Sequence, residues 1–141
     1  DEIVDFMEVF EKHKLVPKDI LGYDLYSYCY NKAKKFHKAI EYGEKALQSA
    51  EEIEHKIAIN NNLGKVYLSA NKPIKAVQSF EYVMSHTNND DVDMMLDYSA
   101  SLFACNRKLE SYEIIKKMEK DLWKYDSKLS DSILFNKGVG K

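Results

Sequence analysis

The side chains in this sequence that could do acid–base, nucleophilic or metal chemistry stand singly rather than in groups. Histidine occurs four times, at His13, His37, His55 and His86. Cysteine occurs twice, at Cys29 and Cys105, in no CxxC or Cys/His spacing. No two histidines have the i, i+4 spacing of a helical metal site, and two cysteines are too few for a disulfide framework. We therefore expect no metal site and no cofactor.

Catalytic patterns are also missing from the sequence. It has no nucleophile elbow, no glycine-rich loop that could hold phosphate, and no pair of carboxylates in a demonstrably apolar setting. Asp and Glu are common here, but helical surfaces normally carry them. We therefore expect that the chain is not an enzyme.

Two charged stretches have alternative interpretations. The run "NNDDVD" (88–93) could bind a cation, but it lacks the glycine and the terminal glutamate of a twelve-residue calcium loop. We interpret it as a loop with helix-capping aspartates. The run "KKMEKDLWK" (116–124) mixes both signs of charge, which is typical of a solvated helix face with Leu122 and Trp123 packed inward. The alternative is that Trp123 anchors a partner.

Composition excludes several classes of partner. The 141 residues are 45% hydrophobic and 31% charged, and the formal net charge is −2. That charge gives no electrostatic basis for binding nucleic acid or an anionic membrane. No apolar run approaches the roughly 18 to 20 residues of a membrane span. The first residues, "DEIVDFMEVF", do not resemble an export signal. The compartment stays open, with the cytoplasm favoured, and we expect the chain to be a segment of a larger protein.

The apolar spacing predicts helices. Only two prolines and five glycines interrupt the chain. Stripes at i, i+3, i+4 and i+7 recur along it, as at Ile3, Phe6, Met7 and Phe10. Strand alternation is absent from the pattern. Breaks are predicted near 14–19, 31–35, 69–73, 86–91 and 104–108. The prediction is an all-α fold of about seven helices.

A comparison of the sequence with itself shows a repeat. Residues 27–47, 64–84 and 99–119 align without gaps. Small residues then coincide at Ser27, Gly64 and Ser99, and again at Ala39, Ala76 and Ser111. Large residues coincide at Tyr30, Tyr67 and Leu102. Equivalent positions are 37 and 35 residues apart, which predicts two helices in each repeat.

These residues resemble the tetratricopeptide repeat family. Its pattern includes a large apolar residue followed by glycine, a tyrosine three residues later, and then alanine, an aromatic residue and another alanine. The run "LGKVY" (63–67), followed by Ala76 and Phe80, fits it closely. The run "FHKAIEYGEKAL" (36–47) is similar to the second helix of the family, except that Gly43 replaces a bulky aromatic residue. The third repeat is degenerate.

The resemblance implies a right-handed superhelix of antiparallel helix pairs, with the first helix of each pair on a concave face. It implies a single domain that divides into a capping or partial-repeat helix at 1–19, repeats at 20–56, 57–91 and 92–127, and the start of a further helix at 128–141. The structural signature residues that it implies are Ser27, Tyr30, Ala39, Ala46, Leu63, Gly64, Tyr67, Ala76 and Phe80.

The resemblance also implies a peptide-binding groove. The candidate groove residues are Asp24, Tyr28, Asn31, Asn61, Asn62, Lys65, Asp93 and Asp97. Asparagine carries two donors and an acceptor, so it can pair with the backbone of an extended peptide. The alternative is that Asn61 and Asn62 are simply solvated helix-surface residues. Asn60 stands where the family usually has a large aromatic residue, and its role is not explained.

The groove lacks the basic clamp with which some family members hold a C-terminal carboxylate. Asn62 matches one asparagine of that clamp, but Asp24, Asp93 and Asp97 replace basic residues and Tyr28 replaces another asparagine. Three carboxylates would repel an acidic ligand. We therefore expect a neutral or basic peptide segment as the partner.

Two functions follow from the resemblance. The first is a protein-binding scaffold that holds the partners of a larger assembly. The second is a peptide-sensing regulatory module of a larger regulator or enzyme, which the repeat spacing of 37 and the linker "QSAEEIEHK" (48–56) favour slightly. Exposed repeat ends would also permit self-association.

Overall fold

The computed structural model describes the backbone of residues 2–88 and 91–125 and the side chains of residues 2–88 and 91–120. The expected start of a further helix at 128–141 and the expected inward packing of Leu122 and Trp123 lie outside these described parts.

The described residues form seven α-helices and no strand, which confirms the all-α prediction. The helices are α1 (Glu2–Lys12), α2 (Ile20–Lys32), α3 (Phe36–Ser49), α4 (Ile53–Ser69), α5 (Pro73–His86), α6 (Val92–Ala104) and α7 (Lys108–Tyr125). Adjacent helices pack as the pairs α2–α3, α4–α5 and α6–α7. The chain divides into two compact units, residues 1–90 and residues 91–141.

Helix starts follow from local sequence. Asp19 precedes α2, and its carboxylate accepts a hydrogen bond from the backbone N–H of Gly22 at 2.7 Å. Asp91 does the same for α6, with the backbone N–H of Met94 at 3.2 Å. Such side chains satisfy N–H groups that have no partner within the helix. Pro73 opens α5 at the position where a missing N–H costs nothing.

The same turn ends the first helix of every pair. The turn residues are Lys34, Asn71 and Asn106, which have left-handed φ values of 62°, 59° and 63°. In each turn the next residue donates its backbone N–H to a carbonyl five residues earlier. These bonds are Lys35 to Tyr30 at 2.9 Å, Lys72 to Tyr67 at 2.8 Å and Arg107 to Leu102 at 2.9 Å. The turns fall at equivalent positions of the three aligned segments, so the sequence repeat is also a repeat of backbone conformation.

Small residues lie where the two helices of a pair meet. The Ser27 hydroxyl on α2 donates to the Ala39 carbonyl on α3 at 2.7 Å. In the second unit, the Ser111 hydroxyl on α7 donates to the Ser99 carbonyl on α6 at 2.8 Å. Both bonds join residues twelve positions apart. Such hydrogen bonds require close approach of the backbones, which a larger side chain would prevent.

Gly64 has the equivalent place in α4. A Cβ atom at this position would lie 2.6 Å from the Phe80 ring on α5. The Phe80 ring therefore occupies the space that a side chain at position 64 would fill, and the ring is completely buried.

Consecutive pairs of the first unit pack through α3 and α4, with a smaller direct contact between α2 and α4. A Cβ atom on Gly43 of α3 would lie 2.4 Å from Leu63 of α4 and 3.0 Å from the Ser27 hydroxyl. Leu63 thus fills the space next to Gly43. This contact gives a physical reason for glycine at a position where the tetratricopeptide pattern usually has a bulky aromatic residue. All nine signature residues named above are buried.

Helix α1 is held against the first pair by a polar cluster. The Glu11 carboxylate accepts hydrogen bonds from the Tyr30 hydroxyl and from the Lys38 ammonium, the latter at 2.7 Å. Burial alone would raise the pKa of Glu11, but the hydrogen bonds from Lys38 and Tyr30 and the Lys38 charge outweigh it and lower the pKa below 4.5. Val4 and Met7 add apolar contact beneath this cluster.

Candidate functional site

Six of the eight candidate groove residues lie on α2 and α4 of the first unit. Asp24, Tyr28 and Asn31 follow the i, i+4, i+7 pattern of one α2 face, and Asn61, Asn62 and Lys65 lie within one turn of α4. The other two, Asp93 and Asp97, lie on α6 in the second unit. The site described below is therefore the α2–α4 surface, defined by the six residues of the first unit.

One hydrogen bond joins the two helices of this surface. The Asn62 amide donates to the Asp24 carboxylate at 3.1 Å. Burial raises the pKa of Asp24, and the hydrogen bond from Asn62 only partly opposes this effect. The bond shows that these residues, 38 positions apart in sequence, come together.

Two asparagines of this surface have unused acceptors. The side-chain carbonyl oxygens of Asn31 on α2 and Asn61 on α4 are buried and have no hydrogen-bond partner. Leaving a buried acceptor unpaired costs about 1–3 kcal/mol. An N–H donor that reached either oxygen would recover part of that cost.

Large apolar side chains stand exposed on α2 beside these polar groups. Leu21, Leu25 and Tyr28 are 81%, 58% and 51% exposed, and their i, i+4, i+7 spacing places them in one stripe. The Lys32 ammonium extends the stripe and lies 5.4 Å from the centre of the Tyr28 ring. The sequence interpretation missed Leu21, although its spacing from Leu25 was the signal that could have identified it.

The remaining candidates have simpler surroundings. Lys65 is half-buried on α4, one turn after Asn61. Asp93 is exposed in the first turn of α6, where its negative charge is favourable to the helix N-terminus. Asp97 is half-buried, and its backbone carbonyl accepts a hydrogen bond from the Ser101 hydroxyl at 2.7 Å.

The three consecutive asparagines do not share one environment. Asn60 is only 8% exposed, and its amide donates to the backbone carbonyl of Lys56 at 2.9 Å. It points away from the α2–α4 surface and lines a cleft between α4 and α5. A bond to the preceding turn makes an interior asparagine tolerable inside a helix.

The described residues were compared with the requirements of a metal site and of a membrane span. Within residues 2–88 and 91–120, no group of three or more His, Cys, Asp or Glu side chains could hold a metal ion. No helix in this part of the chain is both long enough and apolar enough to cross a membrane.

Comparison of the chain with protein-family models, with curated proteins and with solved structures gave no match. The resemblance to tetratricopeptide repeats therefore rests on the sequence pattern, and the helical architecture rests on the structure.

Proposed function

We propose that this chain is a non-catalytic, peptide-binding scaffold of the tetratricopeptide type, which holds a partner segment on its α2–α4 surface. The proposal includes a right-handed superhelix of helix pairs and requires no cofactor. The small residues and the left-handed turns recur at the same two intervals, 37 and 35 residues, and this match supports the repeat part of the proposal.

The observation that carries the binding role is the exposed stripe of Leu21, Leu25 and Tyr28. Solvent-exposed apolar side chains in one stripe are a common mark of protein contact. Beside the stripe, Asn31 and Asn61 have acceptors without partners. A bound segment could bury the stripe. It could also donate backbone N–H groups to Asn31 and Asn61 once these side chains turn outward, because both oxygens are buried in the present conformation.

The Asp24 carboxylate favours a neutral or basic group in the part of the segment that lies against it, whereas Lys32 and Lys65 carry the positive charges of this surface. The Asp24 carboxylate is half-buried, and it accepts a hydrogen bond from a neutral amide, that of Asn62. An acidic ligand would meet this negative charge in a poorly solvated setting, where repulsion is stronger than in water.

The proposal can be tested with a library of peptides that differ only in charge. We expect neutral and basic peptides to shift the NMR signals of residues 21–32 and 61–65. Leu25→Ser and the double variant Asn61→Ala/Asn62→Ala should each weaken this binding about fivefold or more, because each removes part of the contact.

The matched controls are Ile74→Ser and Gln48→Ala, since Ile74 is 68% exposed on α5 and Gln48 is exposed on α3. Neither residue lies on the α2–α4 surface. Unchanged binding by both surface variants, or acidic peptides preferred at residues 21–32, would overturn the proposal.

A further inference from the structure

A second surface of the first unit carries a cleft of about 550 Å³. Its floor is the stripe of Lys56, Asn60, Leu63 and Tyr67 on α4. Lys65 lies nine residues after Lys56, which is half a turn away around an α-helix. The cleft therefore opens on the side of α4 opposite to the α2–α4 surface.

The side chains that line the cleft carry a net positive charge. Its nine lining residues include the two lysines Lys56 and Lys75 and, in this described part of the chain, no aspartate or glutamate. Other lysines of the unit form ion pairs, as Lys35 does with Glu8 and Lys38 with Glu11. Among the described residues, no carboxylate forms an ion pair with Lys56 or Lys75. These two charges are available to a ligand.

The lysines stand at opposite ends of the cleft. The Lys75 ammonium lies 5.6 Å from the centre of the Tyr67 ring, which fixes it near the Tyr67 end of α4. The Tyr67 hydroxyl donates a hydrogen bond to the Glu44 carboxylate at 2.8 Å, which places one negative charge beside the Lys75 end of the cleft. Lys56 precedes Tyr67 by eleven residues, or about 16 Å along the helix axis.

Between the two charges the cleft is apolar with a few polar groups. Leu47 supplies aliphatic surface, and the Tyr82 ring forms part of the α5 side; Leu63 lines the cleft but is itself buried. Asn60 and Ser79 place polar side chains within this apolar region. Such a lining of apolar surface with few polar groups is typical of ligand sites of this volume.

We propose that this cleft binds an extended acidic segment of a partner protein, with carboxylates at both ends and an apolar residue between them. Two carboxylates four residues apart lie on the same face of an extended chain and are separated by about 13 Å. The length of the lysine and glutamate side chains covers the remaining distance to the two ends of the cleft. A nucleic acid is a poorer fit, because two lysines on a chain of net charge −2 offer too little charge for a polyanion. The site does not depend on the function proposed for the α2–α4 surface.

The test uses the whole 141-residue chain and a capped pentapeptide with glutamate at positions one and five, phenylalanine at position three and alanine elsewhere, so that all three side chains share one face of an extended chain. We expect this peptide to shift the NMR signals of residues 56–67 and 75–82. A second peptide with glutamine in place of both glutamates should bind about fivefold more weakly or worse, because it loses both ion pairs.

Charge-removing variants then assign the binding to the two lysines. The double variant Lys56→Gln/Lys75→Gln should weaken binding of the glutamate peptide about tenfold. Lys65→Gln is the matched control on the other face of α4 and should change affinity less than about twofold. Both variants should keep the helical circular dichroism of the parent, since each substitution replaces a lysine on the surface of a helix.

Equal affinity for the two peptides would overturn the inference, as would an unchanged affinity of the double variant. Peptide-induced shifts at residues 21–32 in place of 56–67 would also overturn it. Failure of the α2–α4 proposal has a different signature, because it concerns neutral and basic peptides and the variants at Leu25, Asn61 and Asn62.

Discussion

At the scale of single residues, small side chains decide how closely the helices approach one another. Gly64 leaves room for the Phe80 ring, and Gly43 leaves room for Leu63. Ser27 is small enough for its hydroxyl to reach a carbonyl of the neighbouring helix. The small size of these residues is what the structure requires, so a larger substitute should destabilise the protein through packing more than it changes helix propensity.

Gly64→Ala is therefore expected to destabilise the protein. Alanine favours a helix by about 1 kcal/mol over glycine. The added Cβ would nevertheless lie 2.6 Å from the Phe80 ring, so the ring must move within a closed core. We expect a net loss of about 1–3 kcal/mol in the free energy of unfolding, measured by urea denaturation.

The double variant Gly64→Ala/Phe80→Leu separates this clash from other effects. Leucine is smaller than phenylalanine, so the double variant should lose less unfolding free energy than the sum of the losses of the two single variants. Simple additivity, or a stabilised Gly64→Ala protein, would contradict the close contact between α4 and α5.

The three asparagines at 60–62 show what could be predicted at this scale. Periodicity separated the buried side of α4, with Leu63, Val66 and Tyr67, from the side that carries Asn61 and Asn62. It did not explain Asn60, because its bond to the Lys56 carbonyl and its place in the cleft depend on how α4 and α5 pack. Nor did it identify the unpaired oxygens of Asn31 and Asn61, which depend on the distance to every neighbour.

At the scale of the helix, turn chemistry sets where elements end. The left-handed turn residue is asparagine at 71 and 106 but lysine at 34. Asparagine tolerates this conformation better than most residues with a side chain, and glycine tolerates it best. The turn sequences differ, yet the hydrogen bonds that close them are the same.

Asn71 provides a direct test of this turn. Asn71→Ala should lower the free energy of unfolding by about 1 kcal/mol, because alanine is strained at a φ of 59°. Asn71→Gly should be close to neutral in the same denaturation measurement, although it removes more of the side chain. A glycine variant as unstable as the alanine variant would mean that the asparagine side chain, and not the backbone conformation, stabilises the turn.

The attachment of α1 should depend on pH through Glu11. Its pKa is lowered in the folded state, so the unfolded chain takes up the proton first as pH falls. The stabilisation is therefore complete above the ordinary value of 4.5 and is lost as pH falls through the lowered pKa. Glu11→Gln should cost about 1 kcal/mol at neutral pH and progressively less in acid, measured as unfolding free energy against pH.

Glu8→Gln is the matched control on the same helix, because the Glu8–Lys35 pair is about half exposed on both sides. An exposed pair of this kind contributes little, so we expect a change below about 0.5 kcal/mol. If the Glu11→Gln difference stays constant into acid, the carboxylate charge is not what holds α1.

At the scale of the whole chain, the helices of the first unit should stabilise one another. In the first unit, α2 packs on α3, α3 on α4 and α4 on α5, and α1 contacts this array at one end. Such an arrangement makes the stability of each helix depend on the helices beside it. Helix α4 occupies the central position, since it contacts α2, α3 and α5.

Leu63→Ala should therefore loosen several helices at once. Leu63 is 1% exposed, and its truncation is expected to cost about 2–5 kcal/mol. Amide hydrogen exchange should accelerate in α2, α3 and α5 as well as in α4. Met7→Ala on α1 is the comparison, and it should accelerate exchange chiefly in α1. Exchange confined to α4 in the Leu63 variant would show that the helices open independently.

Much of the architecture followed from the sequence, because it is encoded locally. Apolar periodicity predicted the all-α class, and each of the five predicted breaks overlaps a boundary between consecutive helices. The polar cluster that attaches α1 and the cleft between α4 and α5 could not be predicted, since both depend on residues brought together by packing. No local sequence pattern indicates that Lys56 and Lys75 line the same cleft.

The recurring turn also makes parts of the chain interchangeable. Residues 30–35 and 67–72 end a helix with the same hydrogen bond and the same left-handed step. A crossover between the gene segments that encode these two turns would delete or duplicate 37 residues, and the new junction would again be the same turn. We therefore expect that a change of chain length at these positions would not require a new helix ending.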